Sequence, residues 1–149
     1  MNAMHRRVWV GALWLAAGCM TPGPTLRVGQ GPSSARIRWL RAKALEDVRG
    51  WYAGTLRHVA ANFEAADRFL EEGDVRGAQA AYRRIIGWYQ AGPHRRVAEF
   101  WIAYCYEALG ERDAAARMYR TVARTAPEDG DLWAEESARR LALLTQPPS

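Results

Sequence analysis

From Ile37 onward the apolar side chains fall at Leu40, Ala44, Val48, Tyr52, Leu56, Val59, Phe63, Ala66 and Phe69, in steps of three or four. Side chains at these intervals share one face of an α-helix, so the spacing predicts an amphipathic helical stripe of about thirty residues. Gly50 and Gly54 are the candidate breaks, each weakening a helix by about 1 kcal/mol relative to Ala without ending it. One long helix and two helices hinged near Gly50 both fit the pattern, and ordinary helix lengths favour two. Farther along, no run alternates with period two and Ala, Leu, Arg and Glu dominate, which predicts an all-α body.

Ahead of the stripe the pattern disappears. Thr21 to Ser34 holds three prolines and three glycines in fourteen residues, a composition that neither a helix nor a central strand accommodates. It reads as a tether, with Ser33 or Ser34 placed to cap the helix that follows. The expected organisation is a leader at 1–18, a tether at 19–34, a basic amphipathic helix at 35–60, helical repeats with a closing helix at 61–144, and a flexible tail at 145–149.

The second half of the chain is self-similar. Ala66, Phe69, Gly73, Ala78, Tyr82 and Ile85 are matched, 37 residues on, by Ala103, Tyr106, Gly110, Ala115, Tyr119 and Val122, with the same intervals and residue classes. Gly73 and Gly110 stand where a helix would end in a left-handed residue, and Asp74 and Glu111 to Asp113 put acidic groups near the positive end of the next helix. Ala78 and Ala115 lack the bulk that would hold paired helices apart. This constellation resembles the tetratricopeptide repeat, a unit of two antiparallel helices. Pro127 matches the proline that closes the family's unit, and Pro93 matches it three residues late, so the extra length falls between Gly87 and Gly92. A third copy starts at Ala138 and Leu141 and has Thr145 where Gly would stand, which makes it a lone closing helix. The resemblance, covering roughly residues 60–144, implies a helical-hairpin solenoid of about two repeats plus a capping helix, preceded by one or two N-terminal helices.

The first residues carry a separate signal. His5, Arg6 and Arg7 precede eleven uncharged residues, Val8 to Gly18, about half the length needed to cross a hydrocarbon core of about 30 Å. That is the form of a secretory leader. Leu15-Ala16-Ala17-Gly18-Cys19 resembles a bacterial lipobox, with Ala16 where Leu is commonest. The resemblance implies cleavage before Cys19 and a lipid on its thiol; Met20 in place of Asp points to the outer membrane. A cut at a nearby small residue and an uncleaved anchor are the alternative readings.

Composition then sharpens the charge. The formal charge of +5 invites a nucleic-acid reading, yet 20 of the 21 basic side chains are Arg, a ratio that codon bias also produces. Between residues 19 and 60 the net charge is +5, and from 61 onward it is −2. The surplus therefore sits at Arg36, Arg38, Arg41, Lys43 and Arg49, beside the tether, where it is expected to be either a solvated face or a membrane-proximal contact with anionic headgroups. Nucleic acid is not an expected partner of an exported chain.

Material for catalysis is sparse. Beyond the leader there are two histidines, His58 and His94, neither at a metal-ligand spacing from another, and Cys105 reads as a buried small hydrophobe. No phosphate loop or Gly-x-Ser-x-Gly elbow occurs. Binding has better material. In the resembling family the first helix of each unit lines a concave groove, which places Phe63, Asp67 and Leu70, then Phe100, Tyr104 and Glu107, then Glu135 and Arg139, in a partner-binding groove. Packing of Phe63, Phe100 and Leu70 beneath a preceding helix is the competing reading. The expectation is a lipid-anchored, periplasm-facing scaffold with no cofactor besides the lipid on Cys19, binding an envelope protein. Small repeat lipoproteins of similar kind serve as accessory subunits of envelope machines. A homo-oligomer paired through the Ile37 to Phe69 stripe and a cell-wall enzyme are the other readings.

Overall fold

A computed structural model describes residues 34–52, 57–90, 92–124 and 130–146. Residues 1–33, with the expected leader, Cys19 and nearly all of the expected tether, lie outside the described residues, as do Gly54, Pro127 and 147–149 of the expected tail. Every element among the described residues is an α-helix: α1 (Ser34–Trp51), α2 (Arg57–Glu71), α3 (Val75–Trp88), α4 (His94–Ala108), α5 (Arg112–Arg124) and α6 (Leu132–Thr145).

The long apolar stripe is divided. Helix α1 runs through Gly50 and ends one residue later at Trp51, and α2 begins at Arg57, so the stripe forms the two helices divided near Gly50 and not one long helix. The expected boundary at residue 60 is corrected by the same observation, because 57–60 form the first turn of α2. The physical reason is the stripe itself. Leu40, Ala44 and Val48 on α1 and Val59, Phe63 and Ala66 on α2 are all buried in one core, which a straight helix of about thirty residues would leave bare. Arg49 meets Glu64, and Arg41 meets Asp67 and Glu71, so the two helices run antiparallel.

Helices α2 and α3, then α4 and α5, form two successive hairpins, and α6 closes the array against α5 and α4. The two hairpin turns are near copies. Gly73 and Gly110 both adopt φ +78°, the left-handed conformation that side-chain-bearing residues resist. In each turn the residue after the glycine donates to a carbonyl five positions back, Asp74 to Phe69 at 2.8 Å and Glu111 to Tyr106 at 2.9 Å, which satisfies otherwise orphaned helix-end carbonyls. Asp74 then caps α3 by accepting from the amide of Gly77 at 2.8 Å, and Asp131 caps α6 by accepting from Trp133 and Ala134. Between the hairpins, Gly92 at φ +119° and Pro93 carry the additional chain length.

A chain of rings runs through the repeats. Phe63 meets Tyr82 at 5.7 Å, Tyr82 stacks on Trp101 at 6.3 Å, and Phe100 touches Trp101, Tyr119 and Trp133 at 5.2, 5.8 and 5.2 Å between centroids. Aromatic pairs of this geometry contribute about 0.5–1.5 kcal/mol each beyond the apolar area they bury. The small residues Ala78 and Ala115 are fully buried where the paired helices approach. Cys105 is also fully buried, and burial pushes its thiol up to about 12, so it packs as a hydrophobe and is not a reactive thiol. Replacing Ala78 by Leu forces α3 off its neighbours and is expected to lower stability by about 1–3 kcal/mol, measured by urea denaturation.

Candidate docking site

Helices α2, α4 and α6 are the first helices of their units; α1 bonds to α2 and α6, and Tyr52, just past its end, bonds to α4. On one flank Arg41 grips Asp67 through two nitrogens at 2.6 and 2.9 Å and reaches Glu71 at 2.9 Å, while Arg49 bonds Glu64 at 2.6 Å. On the other flank Arg36 bonds Glu136 at 3.1 Å, and Asp47 accepts from the indole nitrogen of Trp133 at 3.3 Å. At its end the Tyr52 hydroxyl bonds Nδ1 of His94, the first residue of α4. Helix α1 therefore lies antiparallel along the inner face that α2, α4 and α6 form. The expected groove is filled by the chain's own first helix.

That placement decides where the expected groove residues go. Phe63 and Phe100 are core residues, 1% and 0% exposed, and do not offer their rings to a partner. Leu70 is half-buried against the same core. Asp67 belongs to the face but is taken by Arg41. Tyr104 is half-buried with the Arg140 guanidinium 5.1 Å from its ring centre, a cation–π arrangement, and Glu107 accepts from Tyr119 and from Arg140 at 2.8 and 2.6 Å. The basic set is likewise engaged. Arg36, Arg41 and Arg49 pair across to α2 and α6, and Lys43 pairs within α1 to Asp47 at 2.8 Å and Glu46 at 3.4 Å. Arg38 lies on the exposed side of α1.

The third repeat is rotated from its expected register. Arg139 and Glu135 are exposed, and it is Glu136 and Arg140 that turn inward, with side chains 1% exposed. Trp133 sets this rotation. It wedges against Phe100 and Trp101, and the positions three and seven residues later share its face. The signal lies in the chain as Trp133, Glu136 and Arg140 at helical spacing, but a register set on Ala138 conceals it.

The buried charges form one network across four helices. Glu136 on α6 takes Arg36 from α1 and Arg139 from its own helix, with Arg140 beside it at 3.4 Å. Arg140 reaches Glu107 on α4, which also holds the hydroxyl of Tyr119 on α5. Burial alone would raise the Glu136 carboxyl, but hydrogen bonds from Arg139 and Arg36 leave it below the usual carboxylate range. Burial likewise opposes the charge of Arg140, and Tyr119, Glu107 and Glu136 overcome it. The Arg41 guanidinium is raised by its bond to Asp67.

His94 latches the end of α1. It is 2% exposed, and its Nε2 lies 3.2 Å from the Tyr89 carbonyl, which can only accept. Nε2 therefore carries the proton, and Nδ1 accepts from Tyr52 in the neutral ring. Burial lowers the imidazole from its ordinary value, the Tyr89 carbonyl countering only part of this. With both nitrogens engaged, His94 is not presented as an acid or base. His58 sits exposed with its ring 5.3 Å from that of Tyr89. No group of His, Cys, Asp and Glu able to hold a metal ion occurs among the described residues, and no described helix is long and apolar enough to cross a membrane.

Residues 69–137, from the end of α2 into α6, match the tetratricopeptide repeat family. No curated protein and no solved structure matches the chain. The helical-hairpin geometry and the matched segment together support a tetratricopeptide-like repeat domain, and repeats of this kind suggest a scaffold for protein–protein interaction.

Two outcomes follow from the buried charges and from the latch. Arg140→Ala takes the arginine from Glu107, leaving it the Tyr119 hydroxyl, and one of three arginines from Glu136, and is expected to cost about 3–5 kcal/mol in urea denaturation, whereas Arg139→Ala, at the exposed rim of the same cluster, costs less than about 1 kcal/mol. A His held below its unfolded pKa binds protons more weakly in the folded state. Its stabilising contribution is thus complete above about pH 6.5 and is lost as pH falls through that value toward the folded pKa. The melting temperature of His94→Gln is expected to fall less than wild type over this window, and equal slopes would contradict the latch.

Proposed function

We propose that this chain is a non-catalytic docking scaffold, tethered by a lipid on Cys19 to the periplasmic side of a bacterial outer membrane, whose repeat domain binds a protein of the cell envelope. The docking part is supported by the two hairpins and closing helix, within which residues 69–137 match the tetratricopeptide repeat family. The anchoring part is supported by the leader-like run from Val8 to Gly18 and by Leu15-Ala16-Ala17-Gly18-Cys19. A triacylated cysteine carries enough hydrocarbon for stable attachment, which a single chain does not. No cofactor besides that lipid is part of this reading, and the catalytic alternative finds no support in His94, whose ring nitrogens are both engaged.

With α1 on the inner face, the surfaces open to a partner are elsewhere. Trp88 at the end of α3 is 63% exposed, and Leu143 on α6 is 45% exposed. Labelled palmitate is expected to enter the wild-type chain and not Cys19→Ala; equal labelling of both would defeat the anchor. A photo-crosslinking residue at Trp88 or Leu143 in intact cells is expected to yield a discrete protein adduct that weakens in Cys19→Ala. Absence of a discrete protein adduct from both positions and from a third crosslinker at Glu71, on the rim of the inner face, would defeat the docking reading.

A further inference from the structure

The inner face of the repeats is complementary to one kind of helix, and the chain carries a copy of it. Helix α1 presents Leu40, Ala44 and Val48, fully buried at successive i, i+4 positions, and brackets them with arginines that meet Glu64, Asp67, Glu71 and Glu136. The acidic rim and basic helix account for the opposite charges of the two parts of the sequence. Yet α1 is held differently from the other helices. It packs more sparsely on α2 than any other consecutive pair of helices does, and it lies outside the segment matching the repeat family. Much of its hold comes from ion pairs at a partly exposed rim, which salt and competing charges weaken.

We infer that α1 is an intramolecular occupant of a helix-binding groove, and that the groove's external ligand is a basic amphipathic helix of a partner protein that displaces it. The inference rests on the docking-scaffold reading and is independent of the lipid anchor. The ligand helix runs antiparallel to α2, α4 and α6, carries apolar residues at i, i+4 and i+8, and bears an arginine beside the first of them to meet Asp67 and Glu71. In the resting chain α1 keeps other basic helices out, because tethering gives it a high effective concentration at the groove.

The test uses the full mature-length chain with Cys19→Ser and a fluorescent peptide of residues 34–52. Arg41→Glu sets like charge against Asp67 and Glu71 and loosens α1. In a second form, Arg49→Cys and Glu64→Cys are joined by a short bifunctional maleimide and hold α1 closed; Cys105 is too deeply buried to interfere. The peptide is expected to bind the Arg41→Glu chain at least about tenfold more tightly than wild type, and the closed form not at all. A peptide bearing Arg41→Glu should lose that binding and regain it on a chain carrying both Arg41→Glu and Asp67→Arg. Equal binding to the loosened and closed forms, with helix content intact, overturns the inference. Hydrogen exchange of the unmutated chain decides the matter even if Arg41→Glu fails to fold. Amides of α1 are expected to exchange at least about tenfold faster than those of α4, and exchange of both at one common rate overturns the inference. A crosslinked partner at Trp88 alongside a failed peptide test would leave docking standing and place the ligand outside the groove.

Discussion

The buried pairing of Glu136 and Arg140 is the constraint on which the arrangement of the other helices depends. Neither charge can sit in an apolar interior unpaired, since desolvation costs several kcal/mol per ion. Their partners come from three other helices: Arg36 from α1, Glu107 from α4, and Tyr119 of α5 through Glu107. A regular solenoid needs contact only between neighbouring units, yet here the first helix and the last are joined directly across the inner face. The network thus converts a short open array into a closed one and ties the position of α1 to the rotation that Trp133 gives α6.

Closing the array also solves a problem of size. Two hairpins and one extra helix leave an inner face with nothing to cover it, and a domain this small buries a modest fraction of its surface. Leu40, Ala44 and Val48 cover that face, and the arginines around them neutralise its acidic rim. What looks in composition like a basic protein is a basic helix laid on a slightly acidic body. The surplus is largely matched inside the fold, so high pI says little about nucleic acid or lipid.

The repeats are legible in the sequence because their signals are local. Gly73 and Gly110 follow from a left-handed turn that other residues resist, and Ala78 and Ala115 follow from helix approach; each is fixed within a few positions of chain. The break in the Ile37 to Phe69 stripe is legible as one of two readings, and near its place. Glycine weakens a helix only slightly, and the division after Trp51 is decided by where α1 folds back. The filling of the groove is hidden for the same reason. Phe63 and Phe100 occupy positions that line an open surface in longer arrays, and nothing within either repeat announces that a helix earlier in the chain will cover the face. Arg140 escapes a register drawn from small residues, because the bulk of Trp133 sets the rotation.

The filled groove alters what specificity can mean for this scaffold. With Phe63 and Phe100 buried in the core beneath this face, the large rings stabilise the platform and do not select the partner. Selection falls to groups that α1 contacts at the rim, Asp67 and Glu71 on one side and Glu136 on the other, and to the small apolar seam between them. Such a face discriminates by charge placement along a helix more than by pocket shape, because a carboxylate opposite Asp67 is repelled while an arginine there bonds through two nitrogens. The same bidentate contact that holds α1 in place is the feature by which the face would reject a helix of the wrong charge.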